Sequence, residues 1–193
     1  TSECLRIVSL LPAATEWLAF LGHADRLVGV SHECDHPAEV MELPRVTESR
    51  IHTDCSSGVI DAQVRQRVES ETSLYELDGE MLESLKPDLI VTQSLCGVCA
   101  VSQRDVEAVA RNLDCKRFDL RGVTFGQTFE EVAQLAQLVG GDEGGTAALD
   151  PLRARVEATR ERVGRRGAPS PRVTLSACLT LLEWTDPLFC SGH

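Results

Sequence analysis

The sequence predicts an α/β protein in which a parallel sheet carries helices on both faces. Three observations lead there. Short apolar runs alternate with helical patterns of about ten residues or more, the arrangement that builds parallel sheets. A polar helical pattern follows, opening at "DPLRARVEATRERVGRR" from Asp150. After the breaker "GAPSP", a fresh apolar run starts at Arg172.

Taken in order, "LRIVSL" (Leu5–Leu10) is a short strand ending near Pro12. "AATEWLAFLG" then places Trp17, Leu18 and Leu21 at helical spacing, closed by Gly22. "RLVGVS" (Arg26–Ser31) is the second strand. Pro37, Pro44 and "TDCSSG" mark a long irregular crossing, after which Ser57 is placed to cap "VIDAQVRQRVES". Val59, Ile60, Val64 and Val68 share one face of that helix. "SLYELD" reads as a short extended piece, and "GEMLESLKP" as a short helix stopped by Pro87. "DLIVTQ" (Asp88–Gln93) is a buried strand. Ser102 and Asp105 resemble a capping box for "QRDVEAVARNL". "KRFDL" is the next strand. In "TFEEVAQLAQLVGG", Thr128 caps a helix, Glu130 and Glu131 suit its N-terminal dipole, and Gly140–Gly141 end it. In the polar pattern, Asp150 caps and Pro151 takes the first helical position. Its length, roughly 21 Å at ~1.5 Å per residue, crosses a small domain.

Composition limits the functional classes. The chain has 193 residues and a formal net charge of −11, with 42% hydrophobic and 25% charged residues. No basic stripe exists to neutralise phosphates, which argues against a nucleic-acid partner. No apolar run approaches the ~18 residues of a membrane span. "TSECLRIVSLLP" lacks the pattern of a secretory signal. That leaves a cytoplasmic location, or an extracytoplasmic one with the presequence missing. There is no nucleophile elbow, phosphate-binding glycine fingerprint or HExxH, so a binding protein is expected rather than an enzyme.

In a parallel sheet the loops that follow the strands' carboxyl ends gather along one edge, where ligands bind. "LLPAATE", "SHECDHPAE" and "QSLCGVCAVS" therefore become neighbours, and they hold the chain's rarer chemistry. Candidate ligand contacts are Pro12, Ala13 and Thr15 in the first loop, His32 and Glu33 in the second, and Gln93 before the third. The Thr15 hydroxyl and the first-turn N–H groups suit anionic or amide groups of a ligand. A purely local role for Thr15 and Glu16 in capping the helix stands beside that reading.

In an extended segment His32, Cys34 and His36 would point the same way. With Cys96 and Cys99 they make a tetrahedral N/S set available for zinc, drawn from His32, Cys34, Cys96 and Cys99. Two other readings of the CxxC pair stay open. A strand–CxxC–helix order is also found in thiol redox proteins, although here the helix begins beyond both thiols. Alternatively, the sulfurs line a ligand cleft. Cys4, Cys115 and Cys178 lie in or beside strands and read as small buried hydrophobes.

The ordered set "RIVSLLPAATEWLAFLG", "DRLVGVSHECDHPAEV", "LPRVT", "SLYELD", "LESLKPDLIVTQSLCGVCAV" and "LEWTDPLFCSGH" resembles the helical-backbone (class III) substrate-binding proteins of ABC importers. Those serve vitamin B12, iron–siderophores and haem. Within them the set looks like the cobalamin-binding branch, and the likeness runs along nearly the whole chain. The resemblance implies two Rossmann-like lobes joined by one long helix, a ligand held between the lobe edges, and an ABC permease as partner. It divides the chain into a Rossmann-like N-terminal lobe (1–141), a connecting backbone helix (142–168) and the truncated start of a second α/β lobe (169–193). It adds Tyr75, Trp184 and Phe189 to the ligand contacts, because flat macrocycles are held mainly by aromatic and apolar groups. Core packing is the competing role for Trp184. The ligand implied is cobalamin or a related corrinoid or metal chelate. Surface acids such as Glu39, Glu42 and Glu48 are candidates for docking on the permease, with the protein acting as a monomer. The alternative function is an intracellular thiol or zinc protein, or a thiol redox protein, on the same fold, using Cys34, Cys96 and Cys99.

Overall fold

The computed structural model describes residues 5–70, 73–94, 101, 103–140 and 147–165. Its main sheet is four-stranded and parallel: β1 (Ile7–Ser9), β2 (Leu27–Val30), β5 (Leu89–Gln93) and β6 (Lys116–Leu120), in the order β2-β1-β5-β6. A separate two-stranded antiparallel ribbon pairs β3 (Thr47–Ser49) with β4 (Tyr75–Leu77). β3 falls within the stretch expected to be an irregular crossing. The segment leading into it follows the free edge of β2: Val30 N donates to Pro44 O, and Val46 N donates to Val30 O.

The central strands show why an apolar run without alternation marks a strand covered on both sides. Ile7, Leu89 and Val91 face one core, with Leu18 of α1 (Pro12–Phe20) and Leu135 of α5 (Phe125–Leu138). Val8 and Ile90 face the other, with Leu82 of α3 (Gly79–Leu85) and Val106 of α4 (Gln103–Asn112). Each of these apolar side chains is at most 1% exposed. Helices therefore cover both faces, as the sequence predicts.

Element ends follow local chemistry. Pro12 opens α1, where its missing N–H costs nothing. Gly22, at φ +83°, turns the chain after it. Lys86 adopts φ 47° just before Pro87 and ends α3, which Asp78 caps by accepting from Met81 N. α5 begins earlier than expected. Thr124 is its cap, in a reciprocal capping box with Gln127, while Thr128 lies inside the helix and donates to Thr124 O at 3.0 Å. Glu131 has a different task from the one expected: its carboxylate accepts the backbone N–H groups of Arg121 and Gly122 at 2.9–3.0 Å, clamping the β6–α5 loop. At the other end of α5 the Arg26 guanidinium donates to Val139 O.

α2 (Ser57–Glu69) starts after Ser56, not Ser57, and no side chain caps it. Its apolar face is only half-buried, and Val59 is 49% exposed. α6 (Asp150–Arg165) already includes Asp150, whose carboxylate meets Arg153 at 3.2 Å. It is exposed along most of its length, as its polar circumference predicts. Arg153 lies over the Phe129 ring of α5 at 5.7 Å. Among the described residues no helix is long and apolar enough to cross a membrane. Residues 169–193, Ser102 and the CxxC pair lie outside the described residues.

Candidate ligand site

Strand order reverses direction at β1: α1 carries the chain to β2 on one side, and the later crossover brings β5 to the other. At such a point the loops leave in opposite directions and open a crevice beyond the strands' carboxyl ends. A cavity of about 210 Å³ lies there, lined by Leu10, Leu11, Pro12, Ala13, Ser31, His32, Glu33, Thr47, Tyr75, Gln93 and Val101. Six residues named from the sequence thus share one wall: Pro12, Ala13, His32, Glu33, Tyr75 and Gln93. Trp184 and Phe189 lie outside the described residues.

Thr15 is not among the lining residues. It is fully buried, and its hydroxyl donates to Ser9 Oγ at 2.8 Å, with Leu11 O at 3.3 Å and Cys34 Sγ at 3.1 Å. Ser9, also fully buried, donates onward to Leu11 O at 3.0 Å. The expected rim hydroxyl is instead a knot beneath the floor, tying the start of α1 to β1 and to the loop after β2. Helical periodicity explains this: Thr15 lies one turn from Leu11 and one residue after Ala14, which faces the sheet.

His32, Cys34 and His36 do not point together. Cys34 N bonds Ser31 O at 3.1 Å, so the segment turns and the alternation of an extended strand is lost. Cys34 drops into the core at 1% exposure. Burial pushes its thiol pKa up, outweighing the opposing effect of its hydrogen bond with Thr15. His36 lines a different hollow, with Glu16 and Phe20. Among the described residues no three His, Cys, Asp or Glu side chains gather to hold a metal. The other two members of the expected zinc set, Cys96 and Cys99, lie outside the described residues.

The loop owes its shape to Arg45, whose guanidinium donates to the carbonyls of Ser31 at 3.0 Å, Cys34 at 2.6 Å and Met41 at 3.4 Å. On the cavity side, Tyr75 OH donates to Glu33 Oε1 at 3.1 Å, and the Tyr75 and His32 rings meet at 5.2 Å between centroids. Thr47 holds the far edge of His32: its Oγ1 lies 3.0 Å from the His32 backbone N and 2.7 Å from Nδ1, and it donates to Ser31 Oγ at 3.1 Å. Thr47 and Arg45 carry no role in the sequence reading. Their only signal is membership of the "LPRVT" stretch.

No protein-family model matches the chain, and no curated protein matches it. Solved structures do. The periplasmic vitamin B12 binding protein BtuF of Vibrio cholerae is 25% identical, with a TM-score of 0.60, over 81% of this chain and 50% of that one. The periplasmic heme-binding protein RhuT from Roseiflexus sp. RS-1 is 20% identical, with a TM-score of 0.62, over 86% and 53%. The periplasmic heme-binding protein BhuT, solved with two hemes, is 21% identical, with a TM-score of 0.62, over 86% and 54%. The chain has the fold of the Rossmann-like lobe of class III substrate-binding proteins, and it spans about half the length of these structures.

Proposed function

We propose that this lobe forms one wall of a substrate-binding protein of the ABC-importer type, and that its ligand is cobalamin or a closely related corrinoid. One observation carries the reading: loops after β1, β2 and β5, with Tyr75 of β4, bring Pro12, Ala13, His32, Glu33, Tyr75 and Gln93 to one cavity at the switch point of the sheet. The likeness to vitamin B12- and heme-binding proteins supports it.

Size supports it as well. Pockets for small organic ligands run to ~300–1,000 Å³ and bury most of the ligand. A cavity of about 210 Å³ is too small for a macrocycle by itself, but suits one side of a cleft. On this reading the opposite side comes from a second lobe that starts with "RVTLSACLTLLEW", carries Trp184 and Phe189, and is joined through α6. Carriage needs no covalent chemistry, only the wall and a docking face. The exposed Glu39, Glu42 and Glu48 are available for a permease. The thiol and zinc alternative is not favoured, since Cys34 is sequestered in the core.

The test is a titration of a form that carries both lobes with cyanocobalamin, haemin and a ferric siderophore, followed by tryptophan fluorescence, with elemental analysis in parallel. Saturable quenching by cyanocobalamin in zinc-free protein is the expected result. Stoichiometric zinc without quenching by any of the three would overturn the assignment.

A further inference from the structure

Thr47 Oγ1 has one proton and three polar neighbours. The backbone N–H of His32 can only donate to it, at 3.0 Å. Its own proton goes to Ser31 Oγ at 3.1 Å. With that proton so placed, the hydroxyl offers a lone pair toward His32 Nδ1, at 2.7 Å, the arrangement that matches a protonated Nδ1. A neutral imidazole has a single N–H, so Nε2 is left as an acceptor. The ring packs against Tyr75 at 5.2 Å between centroids, and His32 lines the cavity.

Beside it Glu33 spends Oε1 on the Tyr75 hydroxyl, and no bond to Oε2 is present among the described residues. Neither lysine nor arginine lines the cavity among those residues. We infer that Thr47 is a positioning residue: it holds His32 as the Nδ1–H tautomer, so that His32 Nε2 and the Glu33 carboxylate form a pair of acceptors for N–H or O–H donors of a bound molecule. This wall selects a ligand fringed with neutral amides or hydroxyls. A ligand fringed with carboxylates meets two lone-pair groups and no cation here, which is a repulsive element in discrimination. The identity of the ligand rests on the function proposed above; the tautomer is a property of the free chain.

Long-range proton–nitrogen correlation spectra of the ¹⁵N-labelled chain, at a pH where the ring is neutral, read the tautomer directly. His32→Asn assigns the signal. The expected result is a pyrrole-type Nδ1 and a pyridine-type Nε2, retained in Thr47→Ser and replaced by the Nε2–H form or a mixture in Thr47→Val. An Nε2–H ring in the native chain, or an unchanged pattern in Thr47→Val, overturns the inference. The native spectrum decides even where Thr47→Val does not fold. Cyanocobalamin affinity should fall about tenfold in His32→Phe, the size of one lost hydrogen bond. Equal binding by native and His32→Phe chains refutes the acceptor role. Failure of the native two-lobed form to bind refutes the proposed function, and leaves the tautomer to be judged from the spectra.

Discussion

The buried knot below the cavity floor makes a quantitative claim about stability. Thr15 and Ser9 are both fully buried, 2.8 Å apart, and their hydroxyls run in series to Leu11 O. Thr15→Val keeps the volume and removes the hydroxyl. The bond to Ser9 and the weaker sulfur contact to Cys34 are lost, together about 1 kcal/mol net, and Ser9 Oγ loses its incoming donor where water cannot replace it, about 1 kcal/mol more. The expected cost is ~2 kcal/mol, or roughly 4–8 °C in Tm at ~2–4 °C per kcal/mol for a chain of this size. Ser9→Ala is milder, because Leu11 O still accepts Thr15 N at 3.2 Å. In the double variant the orphaned acceptor is gone, so its cost should fall short of the sum by about 1 kcal/mol. Urea unfolding of the four proteins measures the cycle. Additivity within ~0.3 kcal/mol would show that the two hydroxyls act independently and that the knot is not a unit.

Two glycines should respond differently to a methyl group. A Cβ at Gly122 would lie 2.8 Å from Thr128 N and 3.0 Å from Thr128 Cα, backbone that cannot give way, whereas at Gly29 it would meet the Leu85 Cδ1 tip at 2.6 Å. Gly122→Ala is therefore expected to cost ~2–3 kcal/mol and Gly29→Ala ~1–2 kcal/mol by chemical denaturation; the reverse order would contradict the packing described. Glu131→Gln weakens the clamp on Arg121 and Gly122, and should speed amide hydrogen exchange at those two residues while leaving β1 and β5 unchanged. Among Cys34, Cys55 and Cys115, alkylation followed by mass spectrometry should find Cys55 first and Cys34 last, since Cys55 is exposed and Cys34 is buried. Burial, then the charge of Asp88, pushes the Cys115 thiol up to about 11 from an ordinary 9.0. The unfolded chain thus releases that proton first. The contribution is complete below about pH 9 and is lost as pH rises through about 11, so a Cys115→Ala variant should show a shallower loss of Tm across that window.

How much of this was legible in the sequence depends on how local each cause is. β1 and β5 stand out because burial on both faces demands unbroken apolar runs such as "LIV". Their carboxyl ends then locate Pro12, Ala13 and Gln93 by topology alone. β3 was hidden because "TES" is short and polar and gains its strand character only from pairing with Tyr75–Leu77. Thr124 and Thr128 are both competent caps, and the choice between them was made by Gln127, three residues after the first. The inward turn of Cys34 was out of reach for a similar reason. The residue that bends that loop, Arg45, lies eleven positions further on and acts through backbone carbonyls that carry no sequence signal.

That single guanidinium has a bearing on kinetics. Freezing the backbone of a residue costs ~1–2 kcal/mol in conformational entropy, so a floppy four-residue loop would forfeit several kcal/mol on closing around a guest. Between Ser31 and Cys34 that ordering is supplied by the chain's own bonds from Arg45, together with the orientation of the His32 backbone from Thr47. Capture should accordingly be governed by encounter and by the approach of whatever covers the guest from above, and this loop should superpose closely before and after.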